Sequence, residues 1–214
     1  MTTIAIVGVT GYVGSHVASE ALRRGHEVIG VSRSNRAEPQ PGMTLRKGNV
    51  TDIDLMRELA GQASVLFVAT HAVENNEPFL VAIVPSLLQA ASEFHSRLGF
   101  VGGAGSLLVA PGGPRLIDTP EFPALYKFDA ESHAEVLETL RSSGSSADWF
   151  YVSPAAGFGS FAPGERTGIF RTGGDLLLTD SDGNSFIGGE DFAIAIIDEI
   201  EIPRHQRERF SVAY

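Results

Sequence analysis

Cysteine is absent from all 214 residues, which removes disulfides, thiolate catalysis and cysteine-ligated zinc at once. Positive charge is scarce. Sixteen Lys and Arg stand against 26 Asp and Glu, a net charge of −10, so the average surface repels phosphate backbones and nucleic acid is not an expected partner. No apolar run approaches the roughly 18 residues of a membrane-spanning helix. Met1-Thr2-Thr3 leads straight into an apolar segment without the basic n-region of an export signal. A cytoplasmic chain without a membrane partner is the expectation. The histidines at 16, 26, 71, 95, 133 and 205 are scattered without metal-ligand spacing, and no metal site is expected. What the chain does have is glycine: 24 residues, clustered, in a composition that is 43% hydrophobic and 20% charged, as in an ordinary one-domain globule.

Apolar runs alternate between two periods along the sequence. Ile4-Ala5-Ile6-Val7 is short and β-branched, as a buried parallel strand should be. From Val13 to Arg24 the apolar positions fall at helical spacing and Gly25 supplies the stop, before a second strand at Val28-Ile29-Gly30-Val31. Further strands are expected near 43–45, 65–69, 98–101, 149–152 and 209–213. Helices are expected over about 53–59, 79–96 (with a kink at Pro85), 123–141 and 191–201. This alternation predicts an α/β fold: a single Rossmann domain over 1–214, a doubly wound parallel sheet with helices on both faces. Residues 155–189, rich in Gly, Ser and Asp, are expected to form a small C-terminal substrate-side lobe, with strand-like pieces at 168–171 and 176–178.

Between the first strand and first helix lies Gly8-Val9-Thr10-Gly11-Tyr12-Val13-Gly14, a GxxGxxG pattern. Gly8 and Gly11 permit a tight turn and close approach of backbone to a pyrophosphate, and Gly14 lets the helix pack near the strand. The helix N-terminus supplies N–H donors and a favourable dipole. Nineteen residues beyond Gly14, where an NAD site usually offers a carboxylate, the sequence has Ser32-Arg33-Ser34-Asn35-Arg36. A guanidinium there forks onto a phosphate, so Ser32 and Arg33 favour the 2′-phosphate of NADP over NAD.

GVTGYVGSHVASEALRRGHEV, followed by VSR and GNVTD, resembles the atypical short-chain dehydrogenase/reductases. FVGGAGSL at 100–107, DTPEFP at 118–123, DWFYVSPAA at 148–156, PGERTG at 163–168 and the ending RHQRERFSVAY are similar to the NADH-flavin reductase-like group, related to NmrA-like proteins and biliverdin reductase B. The resemblance implies that Asn49 and Val50 lie by the adenine, Ala69, Thr70 and His71 by the ribose near the nicotinamide, and Ser153, Pro154, Ala155 and Ala156 along the nicotinamide face. The family's usual aspartate at 49 is an asparagine here, whose amide still accepts and donates.

The proton-transferring Tyr-xxx-Lys pair usual in that superfamily is missing. Tyr126 and Lys127 are adjacent, position 130 is Ala, and Pro123 stands four residues before Lys127. Neighbouring helix positions point about 100° apart and cannot both address one substrate atom. The remaining catalytic candidates are Lys127 reaching the nicotinamide ribose, His71 after the fourth strand, and Ser106 after Gly102-Gly103-Ala104-Gly105. Arg166 and Arg171 either attract an anionic acceptor or pair with Glu165, Asp175 or Asp180. Two readings follow. One is an NAD(P)H-dependent reductase, NADPH-preferring, passing hydride to a flavin, quinone or similar conjugated acceptor, a reaction that needs no precisely placed tyrosine. The other is a non-catalytic NAD(P) sensor of NmrA-like type. Epimerase or dehydratase chemistry leans on the absent pair. The helices near 79–96 and 123–141 offer faces for a homodimer.

Overall fold

The computed structural model describes residues 1–34, 40–75 and 77–214; Asn35 and Arg36 of the basic segment lie outside them. The chain begins β1 (Thr3–Val7), α1 (Tyr12–Arg23), β2 (Glu27–Ser32), β3 (Met43–Lys47), α2 (Ile53–Gln62) and β4 (Val65–Val68). A two-residue hairpin follows, β5 (Val73–Glu74) and β6 (Glu77–Pro78), then α3 (Leu80–Phe94), β7 (Arg97–Val101), α4 (Ala124–Ser142) and β8 (Trp149–Ser153). It ends with β9 (Arg171–Gly173), α5 (Gly189–Glu201) and β10 (Glu208–Ala213).

The main sheet has eight strands in the order β3-β2-β1-β4-β7-β8-β10-β9. Neighbours pair in parallel except β10 with β9. Because successive side chains alternate across a strand, the sheet feeds two cores. Ala5, Val7, Leu66 and Val68 face Leu59, Leu87 and Leu137 of α2, α3 and α4. Ile4, Ile6, Val65 and Phe67 face Val17, Ala21, Ile196 and Ile197 of α1 and α5. This is the expected doubly wound arrangement with helices on both faces. The chain winds from β1 outward to β3, then returns to β4 on the other side of β1. At that reversal the loops beyond the strand C-termini diverge and leave a crevice.

Several expectations differ in detail. Nothing in the sequence suggested the β5–β6 hairpin, since two residues per strand are too few to show a period. Of the strand-like pieces in the lobe, the first is displaced to Arg171–Gly173, where it pairs antiparallel with β10. The second is no strand: Leu176 makes one isolated bridge to Leu108. Pro85 sits inside α3 on its exposed side, where solvent can satisfy the carbonyl that loses its donor.

The segment 155–189 is mostly irregular but firmly tied. Asp191, buried at the start of α5, accepts hydrogen bonds from Thr167 N (2.9 Å), Thr167 Oγ1 (2.6 Å), Gly168 N (2.8 Å) and the Tyr214 hydroxyl (2.8 Å). Burial alone would raise its pKa, but these donors hold it below the ordinary carboxylate value. The start of α5 also approaches α1 closely: a Cβ on Gly189 would lie 2.6 Å from the Tyr12 hydroxyl.

Candidate active site

The glycine loop is fixed by its own backbone. Gly8 N donates to Val31 O at 2.9 Å and Gly11 N to Gly8 O at 2.9 Å, closing the turn at the ends of β1 and β2. Gly8 has φ +91°, and a Cβ there would lie 2.3 Å from the Ala69 carbonyl oxygen. A Cβ on Gly14 would lie 2.1 Å from the Gly8 oxygen. The first and third glycines therefore let loop, strand end and helix touch. The cap residue of α1, Gly11, contributes no side-chain hydrogen bond, and the first turn holds no acidic residue. The leading N–H groups of α1 have no intrahelical partner by geometry, and they meet the cavity at the positive end of the helix dipole. Beside them Thr70 Oγ1 is buried without a hydrogen-bond partner among the described residues. Unclaimed donors around a glycine cradle, with an orphaned hydroxyl at its edge, suit the diphosphate and ribose of a dinucleotide.

The cradle opens into a cavity of about 1170 Å³, above the roughly 300–1,000 Å³ of an ordinary small-ligand cleft. Of the expected dinucleotide contacts, Gly8, Thr10, Gly11, Tyr12 and Val13 line it at the loop. Ser32, Arg33, Asn49 and Val50 line one end; Ala69, Thr70 and His71 the middle; Pro154, Ala155 and Ala156 the far wall. Gly14 and Ser153 do not line it. Gly14 is buried behind Gly8, and Ser153 is buried at the end of β8 with its hydroxyl unpartnered among the described residues. Arg33 is largely exposed and ion-paired with Glu74 of the hairpin, a cavity-lining residue absent from the sequence reading.

Two of the three catalytic candidates lie elsewhere. Lys127 is exposed on α4 and outside the cavity lining, within the field of Asp118; the helix turns it away from the cofactor groove. Ser106 Oγ lies 2.8 Å from Arg209 Nη1, which it serves as acceptor, and Arg209 also binds Asp175. His71 does line the cavity, with Nδ1 3.4 Å from Asp129 Oδ2. The residues of α4 that face the cavity are Tyr126, Asp129, Ala130 and His133, spaced i, i+3, i+4 and i+7 as one helix face requires. Asp129 and His133 were not singled out from the sequence, although that spacing was the available signal once Tyr126 was placed in the pocket.

Beyond this face the wall is aromatic, with Phe79, Phe122, Tyr126, Phe158 and Phe161. Tyr12 meets Phe158 edge-on at 5.6 Å and reaches toward Pro163 O at 3.4 Å, joining the glycine loop to the lobe. The lobe's two arginines are occupied, and by other partners than expected. Arg166 binds Glu20 of α1 at 3.0 Å, and Arg171 donates to the carbonyls of Thr179 and Tyr214. No helix among the described residues is long and apolar enough to cross a membrane.

A family model described as NAD(P)H-binding matches residues 8–181. Among solved structures, a "putative exported protein" from Burkholderia pseudomallei is 38% identical over the whole of both chains, with a TM-score of 0.87. A "putative epimerase" from Bacteroides thetaiotaomicron is 34% identical over 99% of this chain and 96% of that one, TM-score 0.87. A "putative NADH-flavin reductase" from Streptococcus pneumoniae TIGR4 is 29% identical over 100% of this chain and 99% of that one, TM-score 0.82. The family match takes in the glycine cradle and most of the irregular lobe together, and the chain accordingly belongs to this NAD(P)H-binding family.

Proposed function

We propose that the protein is an NADPH-preferring reductase of uncharged, planar conjugated acceptors, of the quinone or flavin-ring type. One observation carries this reading: a single cavity runs from the glycine cradle to an aromatic wall formed by Phe122, Tyr126, Phe158 and Phe161. A bound reduced nicotinamide would supply a hydride there. The chain's part is to hold two flat rings in contact and keep water from between them, which aromatic walls do well. At the acceptor end the charged lining groups are Glu121 and Asp129, while Arg166 and Arg171 are committed elsewhere. Among the described residues no arginine or lysine lines that end, so an acceptor carrying a phosphate or carboxylate finds no permanent cation there. The name carried by the Streptococcus pneumoniae protein is consistent with this chemistry. Epimerase chemistry, the name of the Bacteroides protein, would rest on the Tyr-xxx-Lys pair that this chain lacks.

The preference for NADPH rests on Arg33, which lines the cavity at the Asn49 end. Arg33→Ala should weaken NADP by about 1.5–3 kcal/mol, roughly 10- to 150-fold, and leave NAD nearly unchanged in calorimetric titrations. An equal loss for both cofactors removes Arg33 from the 2′-phosphate. Glu74 competes for the same guanidinium. An exposed ion pair costs at most about 1 kcal/mol to break, so Glu74→Gln should strengthen NADP up to about fivefold and leave NAD unmoved.

The decisive experiment is oxidation of NADPH and NADH by the purified protein with a panel of quinones, riboflavin and FMN. Turnover that is faster with NADPH and poorer with FMN than with riboflavin supports the proposal. A sensor is favoured instead by one observation, the apolar Leu125 and Phe128 exposed at the head of α4 beside the cavity. Tight cofactor binding without turnover of any acceptor would decide for that alternative.

A further inference from the structure

The missing Tyr-xxx-Lys pair leaves the proposed reduction without an obvious proton source. Reducing a quinone carbonyl takes two electrons and two protons. A hydride accounts for both electrons and one proton, and the oxyanion left on the acceptor needs the second proton.

On the cavity face of α4, Asp129 and His133 stand four residues apart, and His71 approaches from the loop after β4. Asp129 is oriented from two sides: Oδ1 accepts from Ala72 N at 3.2 Å, and Oδ2 lies 3.4 Å from His71 Nδ1. His133 Nε2 is 4.0 Å from the same Oδ2. His133 itself is locked in the core. Its carbonyl accepts from the Tyr151 hydroxyl at 2.9 Å, and its Nδ1 is buried without a partner among the described residues. Tyr151 in turn sits so close under the glycine turn that a Cβ on Gly102 would lie 2.0 Å from its ring. A rigid stack from β8 through α4 therefore fixes the carboxylate, while the imidazole of His71 stands open to the cavity and to solvent.

We propose that Asp129 and His71 form a carboxylate–imidazole pair that protonates the reduced acceptor, doing from a different pair of elements what the absent tyrosine does elsewhere in the superfamily. This rests on the reductase reading above. In the step, the Nε2–H bond of the His71 imidazolium breaks and an O–H bond forms on the acceptor oxyanion. The Nδ1–H stays on the ring, directed at Asp129, whose carboxylate remains ionised throughout. Solvent returns the lost proton to Nε2. The two electrons come from the reduced nicotinamide dinucleotide, and no other redox partner is required.

The electrostatics agree. The hydrogen bond that His71 Nδ1 donates to Asp129 raises the His71 pKa, against partial burial. Burial would raise the Asp129 pKa, but its bond to His71, the neighbouring histidines and the Ala72 N–H hold it down. Burial lowers the His133 pKa, against the pull of Asp129 and with the neighbouring His71 acting in the same sense as burial. The other groups facing the pair are Arg33, which opposes protonation of His71 and is itself neutralised by Glu74, and the Tyr151 phenol, which burial keeps un-ionised.

Two measurements test the pair. In the first, the imidazole resonances of the ligand-free protein are titrated by NMR, with His71→Gln identifying the His71 signal. Asp129→Asn, which keeps an acceptor for Ala72 N, should lower the His71 midpoint; an unmoved midpoint overturns the pairing. In the second, quinone reduction is followed against pH. The wild type should lose rate as pH rises through the His71 midpoint, because the acid form is then lost. His71→Gln should remove that limb and lower kcat about 100-fold, within the usual range for a general acid. If the wild type turns over and His71→Gln matches it in rate and pH profile, the proton-donor role fails while the reductase reading stands. If the wild type binds cofactor and reduces no quinone, the reductase reading fails and takes the donor role with it.

Discussion

Replacing Glu20 with Gln should destabilise the protein by about 3 kcal/mol at neutral pH. The carboxylate is almost fully buried, with a side-chain exposure of 2%, and three guanidiniums converge on it. Arg23 lies at 2.7 Å, Arg24 at 2.7 Å and Arg166 at 3.0 Å. Burial by itself would raise its pKa, but the three arginines more than offset this and bring it from the ordinary 4.5 down to about 2. A group with a depressed folded-state pKa contributes stability that is complete above its unfolded value and lost as pH falls through the folded one. The wild type should therefore lose stability between about pH 4.5 and pH 2, and Glu20→Gln should flatten that limb. For a domain of this size the neutral-pH loss corresponds to a fall in Tm of roughly 6–12 °C. The interactions are not local to α1. Arg24 also binds Asp198 and Glu201 of α5, and Arg166 belongs to the lobe. Urea unfolding across the acid range checks the prediction. An acid limb of equal slope in wild type and variant would mean that other carboxylates carry the effect.

This cluster and the glycine loop show what was legible in the sequence and what was not. The strand–loop–helix cradle was readable because its requirement is local: three glycines at fixed offsets dictate backbone geometry wherever the unit is placed. The alternation of apolar periods likewise revealed the sheet, since burial of a parallel strand on both faces leaves a continuous apolar run. Glu20 gave no such sign. An acidic residue followed by Arg23 and Arg24 reads as ordinary helix-surface pairing, and only the packing of α5 and the lobe onto α1 buries it. Lys127 fails for a related reason. It stands on the helix expected to reach the nicotinamide ribose, but a helix delivers side chains by phase, and the phase that brings Tyr126 into the cavity brings Asp129 and His133 with it and leaves Lys127 outside. Ser106 is drawn off by Arg209, a partner more than a hundred residues away that no local pattern announces. The β5–β6 hairpin, which carries Glu74 to Arg33, was invisible because its strands are too short for periodicity.

Gly14→Ala is expected to abolish dinucleotide binding, lowering affinity for NADP and NAD alike by at least about 100-fold, or about 2.7 kcal/mol, and to destabilise the fold by about 1–3 kcal/mol. Helix propensity alone argues the other way. Within a helix Ala is favoured over Gly by about 1 kcal/mol, and Gly14 lies in the first turn of α1. The contest is decided by space. The added methyl would lie 2.1 Å from the Gly8 oxygen, 2.8 Å from the Gly8 carbonyl carbon and 3.0 Å from the Val9 Cα. All three are backbone atoms, so no side chain can swing aside, and either α1 or the loop must move. The loop is held by the bonds from Gly8 and Val9 to Val31 O, and α1 by the cores it shares with α5. Either displacement pulls the leading N–H groups of α1 away from the point where Gly8 and Gly11 converge. If those donors address the diphosphate common to both cofactors, as the proposed binding mode requires, the loss should not discriminate between them. Under the proposed role of Arg33 at the 2′-phosphate, Arg33→Ala should instead discriminate strongly. Calorimetric titration of both cofactors against both variants separates the two effects, and thermal unfolding of Gly14→Ala gives the sign of the packing term. A variant as stable as the wild type, with unchanged affinities, would show that α1 shifts at little cost and that close contact with Gly8 is not what the third glycine provides.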